Sequence, residues 1–153
     1  MATRRRLGHW EIDSVAGGRG PDGLLSLVER KSGDLLLGKL ADRRAPTFAA
    51  RSIALLAPAG HRVYTITADN GSELAGYRRI ERATGATFYF AAPYHAWERG
   101  TNENTNGLIR QYAPKGHRLA GLTQRDCTRI ATHLNRRPRK RLGYRTPEEV
   151  YGS

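Results

Sequence analysis

The chain has 153 residues, a length that fits one domain with a full hydrophobic core. Hydrophobic residues make up 39% and charged residues 26%, the balance of a soluble globular protein and not of a disordered one. No apolar run approaches the roughly 20 residues that cross a bilayer, and no apolar signal stretch follows Arg4–Arg6. The single cysteine, Cys127, excludes an internal disulfide, so we expect a cytoplasmic protein.

The charge is strongly one-sided. There are 26 lysines and arginines against 14 aspartates and glutamates, which gives a formal net charge of +12. A net charge of this size is informative about binding partners and less so about the fold. Nucleic acid is the usual partner of such a protein, because binding of lysine and arginine to phosphates releases the counterions condensed there. An anionic membrane surface is the rival, but no basic amphipathic helix with a wide apolar face is present.

The first forty residues alternate between apolar segments and glycine-containing turns. Strands are predicted at residues 9–16, Leu24–Glu29 and Leu35–Leu40. Turns are predicted between them, at Gly17–Gly23 and Lys31–Asp34. Strands joined by such short turns form an antiparallel meander.

The rest of the chain alternates between helical and extended segments. A helix is predicted at Pro46–Leu56, with proline near its start, and Ser72 is the expected N-cap of a helix that reaches Gly85. The other predicted elements are a strand at Val63–Ala68, a short buried strand at Thr87–Phe90, a helix from Trp97 or Thr101 to Tyr112, a helix at Thr123–Asn135 and a capped helix start at Thr146–Val150. This order predicts an α/β fold, a mixed sheet with helices packed on it.

Three acidic residues stand out on this cationic chain. Asp13 lies within a predicted strand, Asp69 ends another, and Glu103 lies in a predicted helix. Asp is depleted in strands, so an acid at such a position needs a reason. Mg²⁺ and Mn²⁺ prefer carboxylate oxygens, and two such ions can activate the attacking oxygen and stabilise the leaving oxygen in phosphoryl transfer. The three acids therefore suggest a metal site.

Each acid also has an ordinary interpretation. Asp13 fits an exposed strand position, Asp69 an Asx turn in Asp-Asn-Gly, and Glu103 a solvated helix. Composition alone leaves four further acids in competition as ligands: Asp22, Asp34, Glu73 and Glu98.

Several basic and polar residues are candidates for phosphate contact. Arg110 and Asn106 follow Glu103 by seven and three residues, so a helix would carry all three on one face. A guanidinium there could hold a phosphate beside the metal. The remaining candidates flank that helix or belong to the cationic tail: Arg99, Lys115, Arg136, Arg137, Arg139 and Lys140.

Four blocks of the chain, in this order, resemble the catalytic core of bacterial insertion-sequence transposases of the IS-thirty family, part of the retroviral-integrase-like DDE group. The blocks are Gly8–Glu11, Leu27–Ser32, Trp97–Tyr112 and Leu134–Lys140. The resemblance runs from about residue 8 to residue 151, and the third block is the most specific.

The resemblance implies an RNase H-like fold with five strands in the order 3-2-1-4-5. It also implies that Asp13, Asp69 and Glu103 bind Mg²⁺, or Mn²⁺ as a substitute, as two ions. The 33 residues between Asp69 and Glu103 match the spacing of that group, which selects Glu103 over Glu98. The implied reaction is cleavage at element ends by water, followed by attack of the freed 3′-OH on target DNA. Transposon ends and target DNA would be the partners, with a homo-oligomer possible.

The chain departs from the family pattern in two places. Family members usually have Gly-Asp after Trp-Glu, whereas here Ile12 precedes Asp13. Complete members carry an N-terminal helix-turn-helix region, whereas residues 1–7 form only a basic segment before the core at 8–153. We therefore expect an excised domain or a truncated copy. A non-catalytic DNA-binding remnant and a ribonuclease H-type nuclease stay open as alternatives.

Overall fold

The computed structural model describes residues 7–16, 21–58, 61–69, 71–90, 107–112 and 121–152. Five strands form one mixed sheet in the order β3-β2-β1-β4-β5. The strands are β1 (His9–Ala16), β2 (Gly23–Glu29), β3 (Leu35–Leu40), β4 (Thr65–Ala68) and β5 (Thr87–Phe90). β1 to β3 pair antiparallel, as the meander predicted, and β4 and β5 extend the sheet in parallel.

Helices cover both faces of this sheet. They are α1 (Ala45–Leu56), α2 (Tyr77–Thr84), α3 (Gln124–Asn135) and the short α4 (Pro147–Gly152), with 3₁₀ turns at Ser72–Leu74 and Lys140–Leu142. α3 begins with the capping box that its sequence predicts, because Thr123 and Asp126 exchange side chain to backbone hydrogen bonds. Thr146 and Glu149 do the same before α4.

Side-chain alternation along the strands divides the core into two layers. Trp10, Ile12 and Ile66 pack with α1 and α2, and we call this side of the sheet the α1 face. The side chains on the opposite side of the sheet pack with α3, and we call this side the α3 face. They are Val15 of β1, Leu24 and Val28 of β2, and Leu35 and Leu37 of β3. Cys127 lies in this second layer, and burial raises the pKa of its thiol to about 11. The cysteine is therefore a packing residue.

The sheet also has two distinct ends. β1, β3 and β4 finish at one end, which we call the carboxylate end because Asp69 follows β4 there. β2 finishes at the opposite end, which we call the Glu29 end after its last residue. The two ends differ in how they use acidic residues.

α3 is fastened along the outer edge of β3 by side-chain amides near its two ends. Gln124 accepts a hydrogen bond from the Lys39 backbone N–H at 2.8 Å and donates to the Leu37 carbonyl at 3.0 Å. Asn135 accepts from Leu35 N–H at 2.8 Å and donates to its carbonyl at 2.9 Å. These bonds satisfy edge groups that would otherwise be open to another strand. They also fix the direction of α3, from the carboxylate end to the Glu29 end.

Two predicted elements differ in the structure. Ser72 does not cap a continuous helix: it begins a 3₁₀ turn, and α2 starts only after Gly76. Gly76 packs closely against α1, where a Cβ would lie 3.4 Å from that of Ala49, and glycine is poor in a helix interior. β5 is not a buried strand, because only Phe88 of its four residues is buried. It pairs with β4 alone, so one of its edges has no strand partner within the described chain.

Two further predictions are corrected in part. Residues 107–109 are helical, but 110–112 form a turn, so the helix predicted to reach Tyr112 ends three residues earlier. Its predicted start lies outside the described residues. The cationic stretch after α3 is folded and is not a tail: it makes a 3₁₀ turn, and Arg139 and Arg145 bridge across it.

The described part of the chain contains no helix long and apolar enough to cross a membrane.

Candidate metal centre and nucleic-acid interface

The pairing of β1 with β4 brings two of the predicted ligands together. The two strands run parallel, with His9 opposite Thr65 and Glu11 opposite Thr67. Continuing this register by two residues sets Asp13 opposite Asp69. Paired strands lie about 5 Å apart, so the two backbones are close enough for both carboxylates to reach one cation.

Alternation also puts both carboxylates on the same side of the sheet. Asp13 has the parity of Val15, which packs in the α3-face layer, and pairs with Ser26 of β2. Asp69 has the parity of Thr67, while Ile66 and Ala68 belong to the α1-face layer. Both acids therefore belong to the α3 face, at the carboxylate end.

The environment of the pair suits a hydrated cation. Asp13 is partly exposed and Asp69 is exposed. One oxygen of Asp13 accepts the Ser14 backbone N–H at 2.9 Å, which fixes the side chain. Mg²⁺ and Mn²⁺ take oxygen donors and keep several waters, so two accessible carboxylates fit this class of ion.

The structure separates the competing acids from this pair. Glu73 accepts a hydrogen bond from the Ser14 hydroxyl at 2.9 Å, and Ser14 has the α1-face parity. Asp22 is buried, and Lys39 Nζ lies 3.6 Å from its carboxylate. Asp34 lies in the turn at the Glu29 end. Glu98 lies outside the described residues.

The third predicted ligand, Glu103, is outside the described residues, as are Arg99, Asn106 and Lys115. Within the described ranges, no three His, Cys, Asp or Glu side chains are grouped to hold a metal ion.

The described segment at residues 107–112 packs on the α3 face. Ile109 is fully buried in the α3-face layer, with Cys127 and Leu134 of α3. Nearer the Glu29 end, the Tyr112 hydroxyl and His133 Nδ1 are 2.7 Å apart. Arg110 lies between these two anchors and is partly exposed. Arg110 therefore belongs to the same side of the sheet as Asp13.

The candidate DNA-binding residues after α3 are partly committed to the fold. Arg136 pairs with Glu148 at 2.9 Å, and Arg137 contacts the Gln111 amide oxygen at 3.4 Å. Arg139 donates to the Leu134 carbonyl at 3.0 Å. Burial, and then the charges of Arg137 and Arg141, lower the pKa of Arg139. Lys140 is exposed.

Sequence reasoning did not single out Glu29, an acid that accepts four hydrogen bonds. It is fully buried, and its carboxylate accepts the backbone N–H groups of Gly8, Lys31 and Ser32 and the Ser32 hydroxyl, at 2.7–3.0 Å. The sequence does contain a signal for this role: a glutamate ends a predicted strand, and a serine follows it three residues later. Glu11 was missed too: it is fully buried and shares the parity of Asp13, two residues away.

Comparison with solved structures defines the fold. The catalytic core domain of BIV integrase superimposes with a TM-score of 0.69 at 23% identity, covering 94% of this chain and 92% of that one. A chain of the simian T-cell lymphotropic virus intasome gives a TM-score of 0.73 at 16% identity, covering 95% of this chain and 54% of that one. The fold is therefore the RNase H-like fold of integrase catalytic cores, with the predicted strand order.

Sequence comparison is more specific. A transposase for insertion sequence element IS4351 of Bacteroides fragilis is 42% identical over 151 residues, which is 99% of this chain and 46% of the relative. The InsI transposase of element IS30A of Escherichia coli K12 is 41% identical over 149 residues, or 97% of this chain and 39% of the relative. No protein-family model matches the chain.

The curated homologues of this chain are therefore IS30-family transposases, as the sequence blocks indicated. The chain spans less than half the length of the relatives it matches.

Proposed function

We propose that this chain is the catalytic core of a DDE transposase, which cleaves DNA strands with a divalent cation and joins a 3′-OH end to target DNA. The observation that supports the proposal is the parallel register of β1 and β4, in which Glu11 lies opposite Thr67. Continued by two residues, this register would bring Asp13 opposite Asp69. Homology to transposases over nearly the whole chain supports DNA as the substrate.

Asp13, Asp69 and Glu103 are the proposed ligands, and Mg²⁺ or Mn²⁺ the proposed ion. Residues 107–112 pack on the α3 face, the side to which Asp13 and Asp69 belong by parity. Glu103 precedes this segment by only four residues in sequence, which supports it as the third ligand. A bound cation would lower the cost of forming the attacking oxygen and of releasing the leaving oxygen. Two ions sharing three carboxylates is the arrangement we expect.

Arg110 is the proposed phosphate contact nearest the reaction. It is partly exposed and held between the buried Ile109 and the Tyr112–His133 contact. A planar guanidinium can donate two parallel hydrogen bonds to one phosphate, which would hold the scissile group in place. Asn106 and Arg99 precede it and Lys115 follows it, and all three are proposed to assist.

The chemistry consists of two in-line displacements at phosphorus. In the first, water attacks the phosphate at an element end, the P–O3′ bond breaks and a free 3′-hydroxyl remains. In the second, that hydroxyl attacks a target phosphate and displaces the target's own 3′ oxygen. Neither step needs a covalent bond to the protein, so the role of the side chains is to position groups and to stabilise charge.

Replacing Glu103 tests the third ligand. Glu103→Gln keeps the shape of the side chain and removes its charge, so we expect Mn²⁺-dependent nicking of duplex DNA to be lost while DNA affinity is kept or raised. Glu98→Gln is the matched control, because it is the nearest acid in sequence and should nick normally. Full nicking by the Glu103 variant would show that the ligand assignment is wrong.

Two further measurements separate the alternatives. Calorimetric titration with Mn²⁺ should give binding that Asp69→Asn weakens, whereas a non-catalytic remnant would bind no ion at this site. A strand-transfer assay with a pre-cut 3′-OH end distinguishes a transposase core, which joins it to target DNA, from a ribonuclease H-type nuclease, which does not.

A further inference from the structure

Two helices of this protein carry pairs of arginines four residues apart. α3 carries Arg125 and Arg129, and α2 carries Arg78 and Arg82, all four of them exposed. Residues four apart lie on the same side of a helix, so each pair offers two neighbouring positive charges. The two helices lie on opposite faces of the sheet, since Ile80 of α2 packs in the α1-face layer and Ile130 of α3 in the α3-face layer.

The carboxylates distinguish these two faces. Asp13 and Asp69 have α3-face parity, and Arg110 follows Ile109, which is buried in the same layer. A duplex whose phosphate reaches these groups must therefore approach from the α3 face or over the carboxylate end. α3 begins at this end, because Gln124 is bonded to Lys39 and Leu37 of β3.

From Gln124, α3 runs away from the carboxylate end along an exposed, positively charged side. Arg125, Arg129 and Arg136 follow one another at spacings of four and seven residues, which keeps them on one side of the helix. The first and last of these arginines are about 16 Å apart along the helix axis. This distance corresponds to roughly five phosphates of one DNA strand. The side chains of Arg129 and Arg136 are 78% and 66% exposed.

The ion pairs on this side do not prevent phosphate binding. Arg129 pairs with Asp126, and Arg136 with Glu148, but both pairs are at the surface. Exposed pairs contribute little to stability, so their arginines can exchange a carboxylate for a phosphate at small cost. Asp126 also accepts the Thr123 backbone N–H, so the capping box holds it in place without Arg129.

We propose that Arg125 and Arg129 of α3 bind the DNA backbone beside the reacting phosphate, and that the duplex follows the α3 face and not the α2 arginines. The inference rests on the proposed function and deepens it by assigning the path of the substrate. The contacts are to phosphates, so they position the duplex without reading its sequence.

The test is the salt dependence of DNA affinity for the whole chain, measured by fluorescence anisotropy. The probe is a labelled duplex of about 25 base pairs, just over two helical turns. Each lost phosphate contact makes the slope of log K against log salt less negative by about 0.9. Arg125→Ala with Arg129→Ala should therefore change the slope by about 2, and the lysine double variant at the same positions should keep the parent slope.

The matched control is Arg78→Ala with Arg82→Ala, which removes the same charge at the same spacing from the other face. This variant should keep the parent slope. Equal changes in the two alanine variants, or an unchanged slope for the α3 variant, would overturn the assigned path even if the parent binds and nicks DNA. A parent chain that fails to bind the duplex would instead overturn the proposed function, and this inference with it.

Discussion

Asp13 and Asp69 at one end of the sheet have surroundings opposite to those of Glu29 and Asp34 at the other. At the carboxylate end, Asp13 is partly exposed and Asp69 is exposed, on neighbouring strands that set two negative charges side by side. At the Glu29 end, Glu29 is fully buried and accepts four hydrogen bonds within the fold, and Asp34 is buried nearby.

This difference indicates a ligand-binding role for the acids at the carboxylate end and a structural role for those at the Glu29 end. A buried carboxylate that accepts several hydrogen bonds stabilises the turn that donates them. Asp13 and Asp69 are instead accessible to solvent to different degrees, and carboxylates at such positions can take up a cation together with its waters. We therefore expect changes at one end to affect activity and changes at the other to affect stability.

The largest expected effect is on activity at the carboxylate end. Asp13→Asn or Asp69→Asn should reduce Mn²⁺-dependent nicking by more than about 100-fold, since changes around ligands alone typically cost roughly 10- to 100-fold. Thermal stability without metal should change little, because asparagine keeps the shape of the side chain and neither position is buried.

The control for this pair is Glu73→Gln at the same end. Glu73 accepts the Ser14 hydroxyl on the α1-face side, so its neutral form should keep most of the nicking activity. If Glu73→Gln lost as much activity as Asp69→Asn, the choice of Asp13 and Asp69 from the acids at this end would be unsupported.

The next effect is on stability at the Glu29 end. Glu29→Gln leaves one acceptor oxygen for four donors and turns an amide N–H₂ toward them, so unfolding free energy should fall by about 2 to 3 kcal/mol. Urea unfolding measures this loss. Nicking by the remaining folded protein should keep the parent rate, and a specific loss of catalysis would contradict the structural role of Glu29.

A pH-dependent effect is expected at Asp34. Burial, and then the charges of Glu29 and Glu148, raise its pKa from 3.8 to about 7. Because the folded pKa is the higher one, the stability that Asp34 contributes is complete below its unfolded pKa and is lost as the pH rises through 7. Relative to the parent, Asp34→Asn should therefore gain stability as the pH rises from about 4 to about 7, by up to about 4 kcal/mol, and gain no more above pH 7.

Thermal unfolding of parent and variant across this pH range measures the Asp34 effect. The difference in melting temperature should grow with pH. A difference that is constant with pH would mean that Asp34 does not change its protonation in this range.

Much of the sheet could be predicted because its signals are local. The first three strands alternate or are continuously apolar between glycine-containing turns, and β1 and β3 have the predicted bounds. The sequence prediction took Ser72 as an N-cap and continued the helix through Gly76, whereas the structure breaks at that glycine, which is a poor residue in a helix interior. The exposure of β5 depends on its place at the sheet edge, which the apolar composition of Thr87–Phe90 does not encode.

In the candidate site, too, features with a local signal were predicted, and features that depend on distant contacts were not. An acid inside a strand drew attention to Asp13, and the register of β1 and β4 gives it a neighbour. Glu29 lies within a block that resembles the family, yet its role depends on backbone N–H groups of Gly8 and Ser32 that only the folded chain brings around it. The arginines after α3 read as a free tail, whereas Arg139 bonds the end of α3 and its pKa is lowered by burial.

The most direct measurement of the central claim is the position of Mn²⁺ in crystals of this protein, located by anomalous scattering. The account predicts a peak at the carboxylate end, within about 2.5 Å of oxygens from both Asp13 and Asp69. A peak confined to other acids, such as Asp34 and Glu148, or no peak beside the Asp13–Asp69 pair at saturating Mn²⁺, would contradict it.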